Sequence, residues 1–309
     1  MGNVAIQKME YKGWKNCIFV SNGWVDAILT TDVGPRIIHF GFTGKENEFC
    51  VKEEEAGQSG GDEWRIYGGH RLWHSPESRP RSYEPDNAPV SYKIIRSGVR
   101  LMQPLEPWTQ MKKEIDFILI PDKAKARVIH RITNHSPWEV QLSAWALSVM
   151  APGGREIIPE NDTPTDLLPN RSLTLWPYTR MGDQRLCWGD RYIFLDQDEA
   201  VKAPVKIGLP VEKGWAAYAN HGHLFVKTFK HLSGCPYPDN GCSYETYTTD
   251  FMLEMETLSP LTLLRSGDTL EHTETWTLFD RVDRPVSESD VDRYIQDLIH
   301  KEQIHGGFS

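Results

Sequence analysis

The chain has 309 residues, 39% of them hydrophobic and 25% charged, with a formal net charge of −9. That balance is globular rather than disordered, and an acidic chain without a basic stripe argues against nucleic acid as a partner. No apolar run reaches the roughly 18 residues that a spanning helix needs, so no membrane partner is expected either.

At the N-terminus, no basic stretch followed by an apolar one marks a secretory signal. Gly2 lacks a myristoylation context, because Ile6 stands where Ser or Thr is needed. Short alternating runs then follow one another, separated by turn residues. Cys17–Ser21 and Trp24–Thr31 flank Asn22-Gly23, a hairpin signal, and Arg36–Phe42 follows Gly34-Pro35. Lys52–Glu63 is charged and Gly-rich and reads as an exposed loop; Ser75–Asn87, with three prolines, reads as a rim loop over a site. Val90–Arg96 and Val99–Met102 flank Ser97-Gly98, and Lys113–Ile120 and Ala126–Thr133 flank Pro121-Asp122-Lys123. Val140–Met150 is a long strand, and Ala151–Asn170 is irregular. Further strands are predicted at Leu173–Trp176, Tyr192–Asp196, Lys206–Gly208, Trp215–Asn220, His223–His231, Phe251–Leu258 and Thr269–Asp280. One helix, about 287–301, places Val291, Tyr294, Ile295, Leu298 and Ile299 on one face behind a Ser cap. The cadence is that of an all-β sandwich, taken as a single domain over 1–309. Cys17, Cys50, Cys187, Cys235 and Cys242 form no CxxC pair. Free thiols and a cytoplasmic location are therefore expected.

The densest polar cluster is Tyr67-Gly68-Gly69-His70-Arg71-Leu72-Trp73-His74. His70 and His74 have the spacing of a helical zinc site, but no Glu stands at 71 and no third ligand is near. No metal and no cofactor are expected. In a strand, His70, Leu72 and His74 share one face and Arg71 and Trp73 the other. The cluster reads either as a hydrogen-bonded structural unit or as a set of groups for sugar hydroxyls, for which the Arg71 fork is suited. The second feature is Phe251 to Leu258, where Glu254 and Glu256 share one face of an apolar strand. They are either solvent-facing or held inward, where a carboxylate becomes a general base with raised pKa. Arg36 is a third candidate ligand contact. The 11 Trp and 11 Tyr offer flat faces for sugar C–H groups.

These segments resemble the galactose mutarotase-like (aldose 1-epimerase) superfamily. The likeness rests on Asn22-Gly23-Trp24 through Gly34-Pro35-Arg36-Ile37, on Ile66-Tyr67-Gly68-Gly69, and on Leu253-Glu254-Met255-Glu256-Thr257 followed by Ser266-Gly267-Asp268-Thr269 and Thr275-Trp276-Thr277-Leu278-Phe279. It implies a β supersandwich with a sugar on a concave face. The family's base corresponds to Glu256. Thr133-Asn134-His135-Ser136 resembles the segment carrying the family's acid His, but hairpin order aligns that segment with Val140–Trp145. Trp145 then stands at the acid position and His135 in a turn, while Tyr67 replaces the family's other His. His70 or His74 is left as the acid, with Arg36, Tyr67, Arg71, Trp145 and Glu254 around the sugar. The expected function is an aldose 1-epimerase-like isomerase; the alternatives are a non-catalytic sugar-binding module and, more remotely, a polysaccharide lyase or hydrolase domain. The partner expected is a small-molecule sugar; the oligomeric state is open.

Overall fold

The computed structural model describes residues 4–305; Gly2 lies outside them. Two antiparallel sheets face each other. The first runs, in spatial order, Ala5–Tyr11, Trp14–Ser21, Val25–Thr30, Arg36–Phe42, Gly69–Ser75, Val140–Met150, Leu253–Leu258, Tyr244–Thr248, Val205–Leu209 and Thr174–Leu175, with Thr262–Leu264 paired beside Val140–Met150. The second runs Leu186–Trp188, Tyr192–Asp196, Arg155–Pro159, Trp215–Asn220, His223–Phe229, Thr269–Asp280, Lys125–Asn134, Met111–Leu119, Gly98–Met102 and Ser91–Ile95. Apolar side chains of alternate residues, among them Phe40, Leu72, Phe117, Phe225 and Trp276, fill the space between the sheets. No helix among the described residues is long and apolar enough to cross a membrane.

The predicted helix forms as a continuous helical run from Glu288 to His305. Ser287 and Asp290 cap its start reciprocally, the Ser side chain accepting from the Asp290 N–H and the Asp290 carboxylate accepting from the Ser287 N–H. Val291, Ile295 and Ile299 pack with Phe194, Trp215 and Leu224 on the outer face of the second sheet. Five strands were not expected. Arg155–Pro159 lies inside the stretch read as irregular, Ala5–Tyr11 is an edge strand, Tyr244–Thr248 joins the first sheet between Leu253–Leu258 and Val205–Leu209, and Leu186–Trp188 and Thr262–Leu264 are short additions of three residues each.

The Gly68-Gly69 pair has a purely internal task. Both residues have positive φ, +98° and +70°, and a Cβ on either would come within 2.1 Å of the Cys50 carbonyl oxygen or 2.3 Å of that of Ile37. The close approach is thus to the chain's own backbone, not to a ligand.

Polar groups buried between the sheets are linked in donor–acceptor order. His130 Nδ1 lies 3.0 Å from the His272 carbonyl oxygen and so carries the proton. Its Nε2 then accepts from His70 Nε2 at 2.7 Å, and His70 Nδ1 accepts from the Ser148 hydroxyl at 2.8 Å. Burial holds both rings well below the ordinary His range, His130 at about 4. Lys227 and Glu274, both fully buried, pair at 3.0 Å, and Lys227 also donates to the Met255 carbonyl across the sandwich.

Glu156 is buried as well, accepting a hydrogen bond from the Tyr244 hydroxyl, and burial pushes its pKa from 4.5 up to about 8. A carboxyl whose folded pKa is raised stabilises the fold below its unfolded pKa and loses that contribution as pH climbs to the folded one. Between pH 4.5 and 8 it takes away about 1.4 kcal/mol per pH unit at most. Glu156→Gln is expected to flatten this part of the profile, so that the variant gains on the wild type at pH 8 relative to pH 5 in urea titrations. An unchanged difference at the two pH values would show that Glu156 ionises freely in the fold.

Candidate functional site

The outward face of the first sheet carries a cavity of about 620 Å³, within the usual range for small-molecule sites of about 300–1,000 Å³. Its floor follows from strand register. At one level Arg71, Leu147, Glu256, Glu245 and Gly208 are successive partners across five strands. On one side of that row lie Val149, Glu254, Tyr247 and Lys206; on the other, Trp73, Trp145 and Leu258. A Cβ at Gly208 would sit 2.7 Å from Cys242 Sγ and 3.1 Å from Glu245 Cγ, so the glycine leaves room for both side chains.

Two cation–carboxylate pairs stand on this floor, each braced by aromatic rings. Arg71 Nη1 lies 2.8 Å from Glu254 Oε1, and its guanidinium stacks over Trp73 at 4.6 Å and Trp64 at 5.6 Å. Lys206 Nζ lies 3.1 Å from Glu256 Oε2 and 2.9 Å from Glu245 Oε2, over the rings of Trp145 at 4.4 Å and Trp176 at 4.7 Å. Trp145 Nε1 donates to Glu256 Oε2 at 2.8 Å. Glu245 and Glu256 are direct cross-strand neighbours, a like-charge juxtaposition that the Lys206 ammonium between them relieves. Burial pushes Glu256 above the usual carboxylate range against the pull of Lys206, and pushes Glu245 further. Burial alone would lower Lys206, but Glu256 and Glu245 outweigh it and hold the ammonium charged.

Several polar atoms of this floor are buried without a hydrogen-bond partner in the chain: Glu256 Oε1, Arg71 Nε and, at the wall, Trp64 Nε1. Arg71 Nη1 and Glu254 Oε1 are close as charges but not aligned as donor and acceptor. An unsatisfied buried polar atom costs about 1–3 kcal/mol, so these acceptors and donors at the cavity floor are open to a polar partner. Trp73 packs edge-on against Trp64, Tyr83 and Trp145, making one continuous aromatic wall. The loop 75–87 adds Glu77, Arg79 and Tyr83 to the rim, as its sequence suggested, and the charged loop that begins at Lys52 adds the Lys52–Glu55 pair. The segment that follows Thr174–Leu175 contributes Trp176 and Tyr178.

Of the residues singled out from sequence, Arg71, Trp145, Glu254 and Glu256 line this cavity. Four others need correcting. His70 and His74 sit on the opposite face of the same strand, pointing between the sheets, because alternate residues of a strand face opposite ways. His70 is held by Ser148 and His130, and His74 is 1% exposed. Arg36 is a structural clamp: it forks onto Asp86 at 2.9 and 3.0 Å and donates to the carbonyls of Arg65, Ile66 and Gly68, leaving no donor for a ligand. Tyr67 is fully buried against Trp14, its hydroxyl donating to Asn87. Lys206, Glu245, Trp64, Trp176 and Tyr247 were not singled out, and Trp73 was placed beside Arg71 on its strand without a role in the site. One signal was present: Lys206 is the lone charge in the apolar run Val205–Leu209, where burial demands a partner.

Among the described residues, His70, His130 and Glu274 place ligand-type atoms within 4.8 Å of one another. They do not fit a metal. Glu274 Oε1 already accepts from Lys227 and Thr257 and Oε2 from Trp276, and a cation there would face the Lys227 ammonium.

No protein-family model and no curated protein matches the sequence. Solved structures do. A galactose mutarotase-like protein from Lactobacillus casei aligns over 85% of this chain and 100% of its own, with a TM-score of 0.57 at 11% identity. A galactose mutarotase-like protein from Clostridium acetobutylicum aligns over 90% of this chain and 99% of its own, at 0.52 and 10%. A galactose mutarotase related enzyme from Lactobacillus acidophilus covers 87% and 99%, at 0.50 and 11%. The chain therefore has the galactose mutarotase-like fold, as its sequence motifs suggested.

Proposed function

We propose that this protein binds an aldose in the concave cavity and interconverts its anomers, with Glu256 as the base. The observation that carries this reading is a buried carboxylate oxygen, Glu256 Oε1, without a partner at the floor of a cavity walled by Trp64, Trp73, Trp145 and Trp176. A pyranose presents flat C–H faces to such rings and hydroxyls that both donate and accept. Those hydroxyls complement Glu256 and Glu254 as acceptors and Arg71 and Trp64 as donors. Glu256, raised by burial, is suited to take the proton of the anomeric hydroxyl. A non-catalytic sugar-binding module is the second reading. It is favoured by Trp145, whose N–H is fixed on Glu256 where the likeness expected an acid.

Calorimetric titration with a panel of free aldoses tests the binding. Saturable binding is expected for at least one aldose, weakened at least tenfold in Arg71→Met. Absence of binding across the panel would overturn the sugar reading. Exchange NMR on the aldose that binds separates the enzyme from the module.

A further inference from the structure

Opening a pyranose needs a second group, because the ring oxygen must receive a proton as the anomeric hydroxyl loses one. With His70 and His74 on the far face of the sheet, the acid has to come from elsewhere on the cavity floor. We propose that Lys206 is that acid, and that Glu256 and Lys206 act as one bifunctional pair. This assignment rests on the anomer-interconverting function proposed above.

Geometry supports it. Lys206 lines the cavity and stands 3.1 Å from Glu256 Oε2. The anomeric and ring oxygens are both bonded to the same carbon, so two groups in hydrogen-bond contact with each other can reach both. An ammonium has three donors. One goes to Glu256 Oε2, and Glu245 is near as a charge without an aligned hydrogen bond, which leaves donor capacity for a ligand. Glu256 likewise spends Oε2 on Trp145 and Lys206 and keeps Oε1 free. The rings of Trp145 and Trp176 fix where the ammonium sits.

The step balances without a co-reactant. Glu256 Oε1 takes the proton from the anomeric hydroxyl, and a carbonyl forms at C1. The C1–O5 bond breaks with its electron pair going to O5, which takes a proton from Lys206 Nζ. The open-chain aldehyde turns about its C1–C2 bond. Ring closure then runs the transfers in reverse: O5 attacks C1 and returns its proton to the amine, while Glu256 reprotonates O1. Glu245 touches no reacting atom. It is a positioning residue that holds Lys206 beside Glu256; as Glu256 takes its proton, one of the two groups that keep the ammonium charged is neutralised, and Lys206 gives up its own proton more readily.

Lys206→Arg tests this. Arg keeps the positive charge between the two carboxylates but does not release a proton at accessible pH. The double variant Lys206→Met with Glu245→Gln serves as a second arm, since it removes the cation without leaving two buried carboxylates facing each other. With the aldose that binds the wild type, Lys206→Arg is expected to bind within about threefold by calorimetry and the double variant more weakly, since a ligand donor is gone; at saturating aldose both are expected to lose anomer exchange by about 10²-fold or more by exchange NMR, the scale of a lost general acid. Wild-type exchange rates in Lys206→Arg would overturn the assignment while leaving the proposed function intact. A wild type that binds aldoses without accelerating exchange would instead overturn the isomerase reading, and this assignment with it.

Discussion

Lys227→Met is expected to destabilise the fold by about 3–5 kcal/mol, because removing one partner of a buried ion pair strands the other. Lys227 and Glu274 are both fully buried and 3.0 Å apart. Lys227 sits on the second sheet and donates to the Met255 carbonyl on the first, so its loss also unties one link across the sandwich. Burial acts to raise Glu274, yet Lys227 foremost, with the surrounding histidines, holds it far below the usual carboxylate range. A carboxylate so depressed contributes stability above its unfolded pKa and loses it as pH falls. Without Lys227 the same carboxyl prefers its proton, and the deficit of the variant is expected to shrink as pH falls below about 5. Adding Glu274→Gln to Lys227→Met is expected to restore part of the loss, as the amide still meets Thr257 and Trp276. Urea titrations of the double-mutant cycle measure this. Additive losses at neutral pH would show that the pair is not coupled.

Glu256→Gln is expected to keep the fold and the sugar and to lose anomer exchange by about 10²–10⁴-fold. The amide oxygen can still accept from Trp145, and Lys206 keeps Glu245 as its counter-ion at 2.9 Å, so the floor stays assembled. Lost is the ability of Oε1 to take a proton. In the wild type the rate is expected to fall on acidification, beginning above the usual carboxylate range because burial raises Glu256. Exchange NMR of wild type and variant across pH measures both effects. Equal rates for the two proteins would remove Glu256 from the chemistry.

How far the sequence carried this account depended on strand parity. Long strands with a marked pattern, Val140–Met150 and Thr269–Asp280, were legible to the residue. The Gly69–Ser75 strand is buried on both faces, so nothing in its residues told which face lines the cavity; the histidines are the more conspicuous residues, yet Arg71 and Trp73 point into it. Glu256 was legible because a charge on an apolar strand needs a reason. Its partners were not, since the contact with Lys206 joins strands 50 residues apart and depends on a register that no local pattern fixes. Arg36 shows the opposite failure: a conspicuous Arg after Gly34-Pro35 serves the loops at Arg65–Gly68 and Asp86, which only the tertiary path brings near.

The most direct measurement is a crystal structure of the protein soaked with the aldose that binds in calorimetry. A pyranose is expected on the outward face of the first sheet, its anomeric hydroxyl against Glu256 Oε1 and a ring face on the tryptophan wall. Density for the sugar at any other place, with the floor around Glu256 and Arg71 unchanged, would contradict it.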